Sequence, residues 1–310
     1  MGSRMNRGLP FAGAISCVAC ALLLAAMAPA AEPAEKVKEP SADSVQQNTA
    51  VDALMKAGKL AEAEAPLQAL LQASTTALGI FHPFTVDKKM KLGSLLLAEG
   101  KFAEAEPHFR FSSRLFEKIL GLDDPKTLSQ RSVLGNILHE ERKYAEAEKL
   151  TREVVQDMER VLGAENGGTL LNRGNLAAIL SDEGHHAEAE TELRAIIKIE
   201  TRVVGPDAQP TLTARGNLAI TLRDSGKLAE ADADFRALLS DLERTQGANH
   251  PYTLTMRYHH ALCLKREKKF AEAEKQVRQA YDGAVKTLGP DHPNTLLLKK
   301  FLAELEDSKS

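Results

Sequence analysis

The phrase Ala61-Glu62-Ala63-Glu64 returns at Ala103, Ala145, Ala187, Ala229 and Ala271, each 42 residues after the last, with Asp232 closing the fifth copy. Gly79, Gly121, Gly163, Gly205, Gly247 and Gly289 keep the same register, as do Thr85, Thr127, Thr169, Thr211, Thr253 and Thr295. Self-similarity at a period of roughly 20–50 residues marks a stack of like supersecondary units. Such a stack presents a surface rather than housing a reaction, so the period constrains function as well as fold.

Composition agrees with stacked helices. The 310 residues include no Trp and only 5% aromatics, while Ala, Leu and Glu abound, which suits close helix packing more than a large aromatic core. The repeats run through most of the chain without a break, so one elongated domain is expected rather than two. A formal charge of −3 argues against a nucleic-acid-binding surface.

The N-terminus is a different kind of sequence. Arg4 and Arg7 precede an uncharged apolar stretch from Phe11 to Ala28, and Ala28-Pro29-Ala30 supplies a small-x-small cleavage signal. That layout predicts a secretory signal peptide over 1–30 and a periplasmic or secreted protein, an uncleaved membrane anchor being the alternative. Residues 31–42, with Pro33 and Pro40, read as a flexible leader, and 43–310 as the repeat domain. Cleavage would leave a formal charge of −5 and would discard Cys17 and Cys20, whose C-x-x-C spacing lies inside the apolar stretch. Cys263 then stands alone, and no intramolecular disulfide can form.

Within one unit, Thr169 to Glu183 carries Leu170, Leu176, Ala177 and Leu180 at helical spacing, and Gly184 ends that helix. Ala187 to Val204 repeats the pattern with Ala189, Leu193, Ile196 and Ile197, and Gly205 ends it. Each unit is therefore two antiparallel helices joined by a tight turn. Asp123, Asp207, Asn249 and Asp291 fall just ahead of the first helix, where they can cap it, with Pro125, Pro251 and Pro293 in the first turn. Ala63, Ala105, Ala147, Ala189, Ala231 and Ala273 mark the closest helix crossing, and Leu60, Phe102, Tyr144, Leu228 and Phe270 fill the wedge beside the turn.

These residues resemble the tetratricopeptide repeat in its long, kinesin-light-chain-like variant. The likeness rests on Asn175-Leu176-Ala177, Asn217-Leu218-Ala219, the run from Gly226 to Ala231, and Leu288-Gly289-Pro290-Asp291-His292-Pro293, and it spans roughly residues 59 to 300. It implies an all-α, right-handed superhelical solenoid of about six helix pairs. Residues 43–57 read as a degenerate opening helix and Thr295 to Leu305 as a lone closing helix. The chain departs from the family at a first-helix position where Arg131, Arg173, Arg215 and Arg257 stand.

Two basic columns carry rival readings. Arg110, Arg152, Arg194, Arg236 and Arg278 each follow an acid by four residues, the favourable helical order, and the alternative is an anion-binding track. Lys89, Arg131, Arg173, Arg215, Arg257 and Lys299 share a helix side with apolar residues and need partners. Glu117, Glu159 and Glu243 on preceding second helices are candidates for Arg131, Arg173 and Arg257, stapling repeat to repeat.

In the resembling family the first helices line a concave groove. That geometry would align Met90, Ser132, Gly174, Gly216 and Tyr258 in one column and Ser94, Asn136, Ala178, Ile220 and Leu262 in the next. The family's carboxylate clamp wants Lys and Asn there, and only Asn136 matches. Asn175 and Asn217 can bond an extended peptide backbone or satisfy neighbouring helices, while Arg223, Lys265 and Arg266 make the C-terminal end of the groove basic. The sequence contains no G-x-S-x-G, H-E-x-x-H or phosphate loop, and the adjacent pairs His185-His186 and His259-His260 diverge on a helix. His82, His250 and His292, each before Pro, read as turn chemistry.

The resulting expectation is a non-enzymatic scaffold without catalytic residues, metal or cofactor. It binds a protein or peptide partner through Asn136, Asn175, Asn217, Arg223, Tyr258, Lys265 and Arg266. Self-association through solenoid surfaces is the alternative.

Overall fold

The computed structural model describes residues 38–307; the signal segment, Cys17, Cys20 and the leader to residue 37 lie outside them. The described residues form thirteen helices and no strand. They divide between Gly163 and Ala164 into two compact units. The N-terminal unit holds α1 (Ala42–Lys56), α2 (Leu60–Leu78), α3 (Pro83–Ala98), α4 (Phe102–Leu120), α5 (Pro125–Glu140) and α6 (Tyr144–Leu162). The C-terminal unit holds α7 (Gly167–Glu183), α8 (His186–Val203), α9 (Gln209–Asp224), α10 (Leu228–Thr245), α11 (Pro251–Arg266), α12 (Phe270–Leu288) and α13 (Pro293–Asp307). Six helix pairs and a closing helix match the architecture expected from the period, and within each unit consecutive helices pack on one another. None of these helices is long and apolar enough to cross a membrane.

Each pair forms for local reasons. The alanine column is fully buried at every repeat, from Ala63 to Ala273, so the helices approach to the distance a methyl group allows. The turn between paired helices needs one left-handed residue, supplied by Gly58, Gly100, Gly184 and Gly226 and, at the same position, by Arg142 and Lys268 at φ 62°. Two threonines of the column close the longer turn ahead of their helices. Thr211 and Thr253 donate to the carbonyls of Gly205 and Gly247 at 2.8 and 3.0 Å.

The caps fall one residue later than the aspartate column expected for them. Asp124 and Asn166 accept from the amides of Lys126 and Gly168 at 2.8 and 2.9 Å, and the imidazoles of His82, His250 and His292 do the same for Phe84, Tyr252 and Asn294. Proline at the first helical position sets this register, because the extended residue before it is the cap. Asp123 and Asp207 are thereby freed to pair with Arg160 and Arg244, 37 residues on.

The first-helix base column is also paired differently. Arg131 donates to Asp157 at 2.7 Å and Glu153 at 3.0 Å, on the partner helix of its own repeat rather than to Glu117. Arg173 bonds Glu192, and Arg215 reaches Asp241 at 2.8 Å, again within the repeat. Arg257 takes the expected acid of the preceding helix, Glu243, and it adds Gln276 and Gln279. Repeat-to-repeat stapling also runs along the second helices. Arg110, Arg194, Arg236 and Arg278 each hold the acid four residues back and a glutamate of the next element: Glu146, Glu230, Glu272 and Glu306. Lys101, Lys143, Lys227 and Lys269 reach back to Glu64, Glu106, Glu190 and Asp232.

Candidate functional site

The candidate surface of the C-terminal unit is built by its first helices, α7, α9 and α11. Asn175 on α7 and Asn217 on α9 stand one repeat apart and are half-buried. Neither side-chain amide bonds another described residue, so both keep a donor and an acceptor for something outside the fold. The next residue in this column is His259, whose Nδ1 lies 2.9 Å from Arg223 Nη1.

Arg223, Tyr258, Lys265 and Arg266 are brought together, but as a packed network and not as a free basic rim. Arg223 is 8% exposed, and its guanidinium donates to Asp224 at 2.8–2.9 Å as well as facing His259. Tyr258, also 8% exposed, stands edge-on to Phe301 with ring centroids 5.6 Å apart, and burial pushes its phenol pKa up. Lys265 lies 5.2 Å over the same Phe301 ring and 3.4 Å from Glu304. Arg266 is exposed but closes a helix end by donating to the Arg223 carbonyl. Lys265 is the more loosely held charge, by a long pair with Glu304 and the face of Phe301 at the edge of α13.

Gly216 does not open onto a channel. A Cβ there would collide with the Tyr252 hydroxyl and Met256 Sδ of α11, so the glycine lets the next repeat approach. Ile220 is likewise buried, at 1% exposure. Gly174, by contrast, has nothing within 4 Å of that position. The space beside Gly174 is therefore open, and Asn175 and Asn217 are each partly exposed.

Asn136 lies in the N-terminal unit on α5. It is 9% exposed and its Nδ2 is buried without a partner. His259 and His260 diverge as helical neighbours must. His260 takes Asp232 at Nε2, 2.6 Å away, stacks on Phe235 and has its pKa lowered by burial. Cys263 is buried, and burial pushes its thiol pKa to about 11.

Sequence reasoning missed the Tyr258–Phe301 packing, because the two rings stand on different helices and meet only when the closing helix packs. It also missed that His259 extends the amide column, a signal that was present in the 42-residue spacing from Asn175 and Asn217.

The sequence model of the tetratricopeptide repeat family matches residues 86–160, 168–240 and 210–284. No curated protein matches the chain by sequence. Among solved structures, a kinesin-light-chain-type protein of Podosopora anserina with nearly identical TPR-like repeats is 20% identical. It covers 66% of this chain and 96% of its own, at a TM-score of 0.55. BtubC (BKLC) from P. vanneervenii is 17% identical over 82% of this chain and 95% of its own, with a TM-score of 0.55. The apo form of RapI is 9% identical over 86% and 97%, with a TM-score of 0.58. At such identities the likeness shows the fold.

Proposed function

Because this chain belongs to the tetratricopeptide-repeat family, we propose that it is a non-enzymatic scaffold that binds an extended segment of a partner protein along the first helices of its C-terminal unit. The observation that carries this reading is the pair of unbonded amides at Asn175 and Asn217, one repeat apart and beside the open Gly174. A half-buried amide forgoes part of its hydration, and an extended backbone returns both a donor and an acceptor at each repeat. Lys265 adds attraction for an acidic residue of the segment, with Tyr258 and Phe301 forming the wall beneath it.

The partner is to be captured with the chain lacking residues 1–30 and then titrated at two ionic strengths. Asn175→Ala with Asn217→Ala is expected to weaken binding about tenfold or more, the loss of two to four hydrogen bonds. Lys265→Glu with Arg266→Glu weakens it chiefly at low salt and flattens its salt dependence. Arg194→Ala, on the second-helix ladder, leaves it nearly unchanged. Binding lost with Arg194→Ala and kept by the amide double variant would place the partner on the second helices instead.

The same reading puts the protein outside the cytoplasm, on the strength of Arg4, Arg7 and Ala28-Pro29-Ala30. N-terminal sequencing from the native cell is expected to begin at Ala31 or within a few residues; a soluble cytoplasmic product starting at Met1 or Met5 refutes export.

A further inference from the structure

The bases at the Lys89 column are met, repeat after repeat, by polar residues of the adjoining second helix. Arg131 has Glu153 and Asp157, Arg173 has Glu192, Arg215 has Asp241, and Arg257 has Gln276 and Gln279. At Lys89 the three corresponding positions hold His108, Phe111 and Leu115. A second network shows the same loss. Asp123, Glu165 and Asp207 pair with Arg160, Arg202 and Arg244, and the matching residues one repeat earlier are Phe81 and Lys118. This repeat of the N-terminal unit has kept both bases and holds no acid at any of these positions, Phe81, Phe111 and Leu115 being apolar.

The replacement residues build a surface. Phe81 stacks on Phe111 with centroids 5.9 Å apart and planes at 25°, and Lys89 Nζ stands 4.9 Å over the Phe111 ring. Phe81 is 59% exposed and Ile80 beside it 40% exposed. Neither Lys89 nor Lys118 forms an ion pair among the described residues. His108 brings no compensating charge: burial, and then the Lys89 ammonium, hold its pKa at about 4, so it is neutral.

We propose that Phe81, Lys89, Phe111 and Lys118 form a second docking surface, for an acidic segment of a partner protein that lays an apolar or aromatic side chain on the Phe81–Phe111 pair. A carboxylate from outside would restore to each lysine the partner that the other repeats supply internally. The same event would take an exposed phenyl ring out of water, and ring contacts and cation–π attraction strengthen as the site is desolvated. The formal charge of −3 favours a discrete acidic peptide over an anionic bilayer as the occupant, since a bilayer repels the rest of the chain. This surface is separate from the amide column and stands or falls independently of it.

The probe is a fluorescein-labelled peptide, Gly-Asp-Glu-Phe-Asp-Glu-Gly, with an analogue carrying Asn and Gln in place of the acids, each titrated by anisotropy at low salt. The chain is expected to bind the acidic peptide at least about tenfold more tightly than the analogue, as two newly paired charges should give. Lys89→Gln with Lys118→Gln abolishes the preference. Phe81→Asp with Phe111→Glu rebuilds the internal pairs of the other repeats. It is expected to lose the peptide while melting no lower than wild type, which separates lost docking from lost folding. Lys198→Gln, on exposed surface of the C-terminal unit, leaves binding unchanged. Equal affinity for the two peptides, or wild-type binding by the rebuilt variant, overturns the proposal. So does binding to phosphatidylcholine–phosphatidylserine vesicles without binding to peptide, or dimerisation abolished by the rebuilt variant with no peptide bound.

Discussion

Glu200 occupies a position that the other repeats give to Ser74, Phe116, Met158, Leu242 and Ala284, all buried. It lies one helical turn after Ile196, which packs against Leu170 and Ala214, and its Oε2 is buried without a hydrogen bond. Burial raises its carboxyl pKa to about 7. The sign of the consequence is the reverse of a salt-bridged acid. The fold holds the proton more tightly than the unfolded chain, so stability is highest below the ordinary glutamate range, falls as pH rises to about 7, and is level above it. Glu200→Gln mimics the protonated form. It is expected to match wild type in urea melts at pH 4 and to exceed it at pH 8 by on the order of 1–3 kcal/mol. Equal stability at both pH values would show that the carboxyl reaches water. The misfit is present in the 42-residue register of the sequence, but the burial of the carboxyl follows only from the packing of α8.

At the scale of helices, the C-terminal unit departs from its own pattern in two coordinated places. The column Leu92, Leu134, Leu176, Leu218 and Leu302 holds His260, and the column of glutamates that includes Glu190 and Glu274 holds Asp232. The imidazole and the shortened acid meet at 2.6 Å between α10 and α11, with Arg236 and Lys269 on the same carboxylate at 2.9 and 3.0 Å. Burial pushes the Asp232 pKa up, but the bonds from His260, Arg236 and Lys269 outweigh it and hold it at about 2. Its stabilising contribution is present above the ordinary aspartate range and fades as pH falls through about 2. Asp232→Asn or His260→Leu alone strands a buried group and is expected to cost roughly 1–3 kcal/mol in chemical denaturation. Asp232→Glu with His260→Leu restores the residues of the other repeats and should cost far less than the single changes together. Strict additivity would mean that the two sites act separately.

Across the chain, the second-helix pairs tie each repeat to the next within a unit, and most are at least partly exposed, such as Arg194 with Glu230 at 47% and 45%. Their attraction is screened by salt, whereas the buried alanine crossings are not. Raising sodium chloride from about 0.05 to about 0.5 M is therefore expected to lower the melting midpoint by roughly 2–4 °C, a modest share of total stability. An unchanged midpoint would mean that the ladders contribute only to register. The first half of each pair, an acid four residues before its arginine, was legible because helical geometry alone brings such residues together. The second half was not, because a lysine reaching back 37 residues is a neighbour only once repeats are stacked.

The amino-acid sequence by itself determined the repeat length, the helix pairs, the alanine crossings and the closing helix, since each follows from periodicity and local backbone preference. It also placed Asn175 and Asn217 in one column. Only the tertiary structure decided which charges are available. Arg223 is consumed by Asp224 and His259, Tyr258 by Phe301, and Arg131 by its own partner helix, whereas Lys89 is left over a phenyl ring. A periodic sequence says where a side chain points on its helix; whether an opposite charge or an apolar ring faces it depends on residues a whole repeat away, which only packing brings within reach.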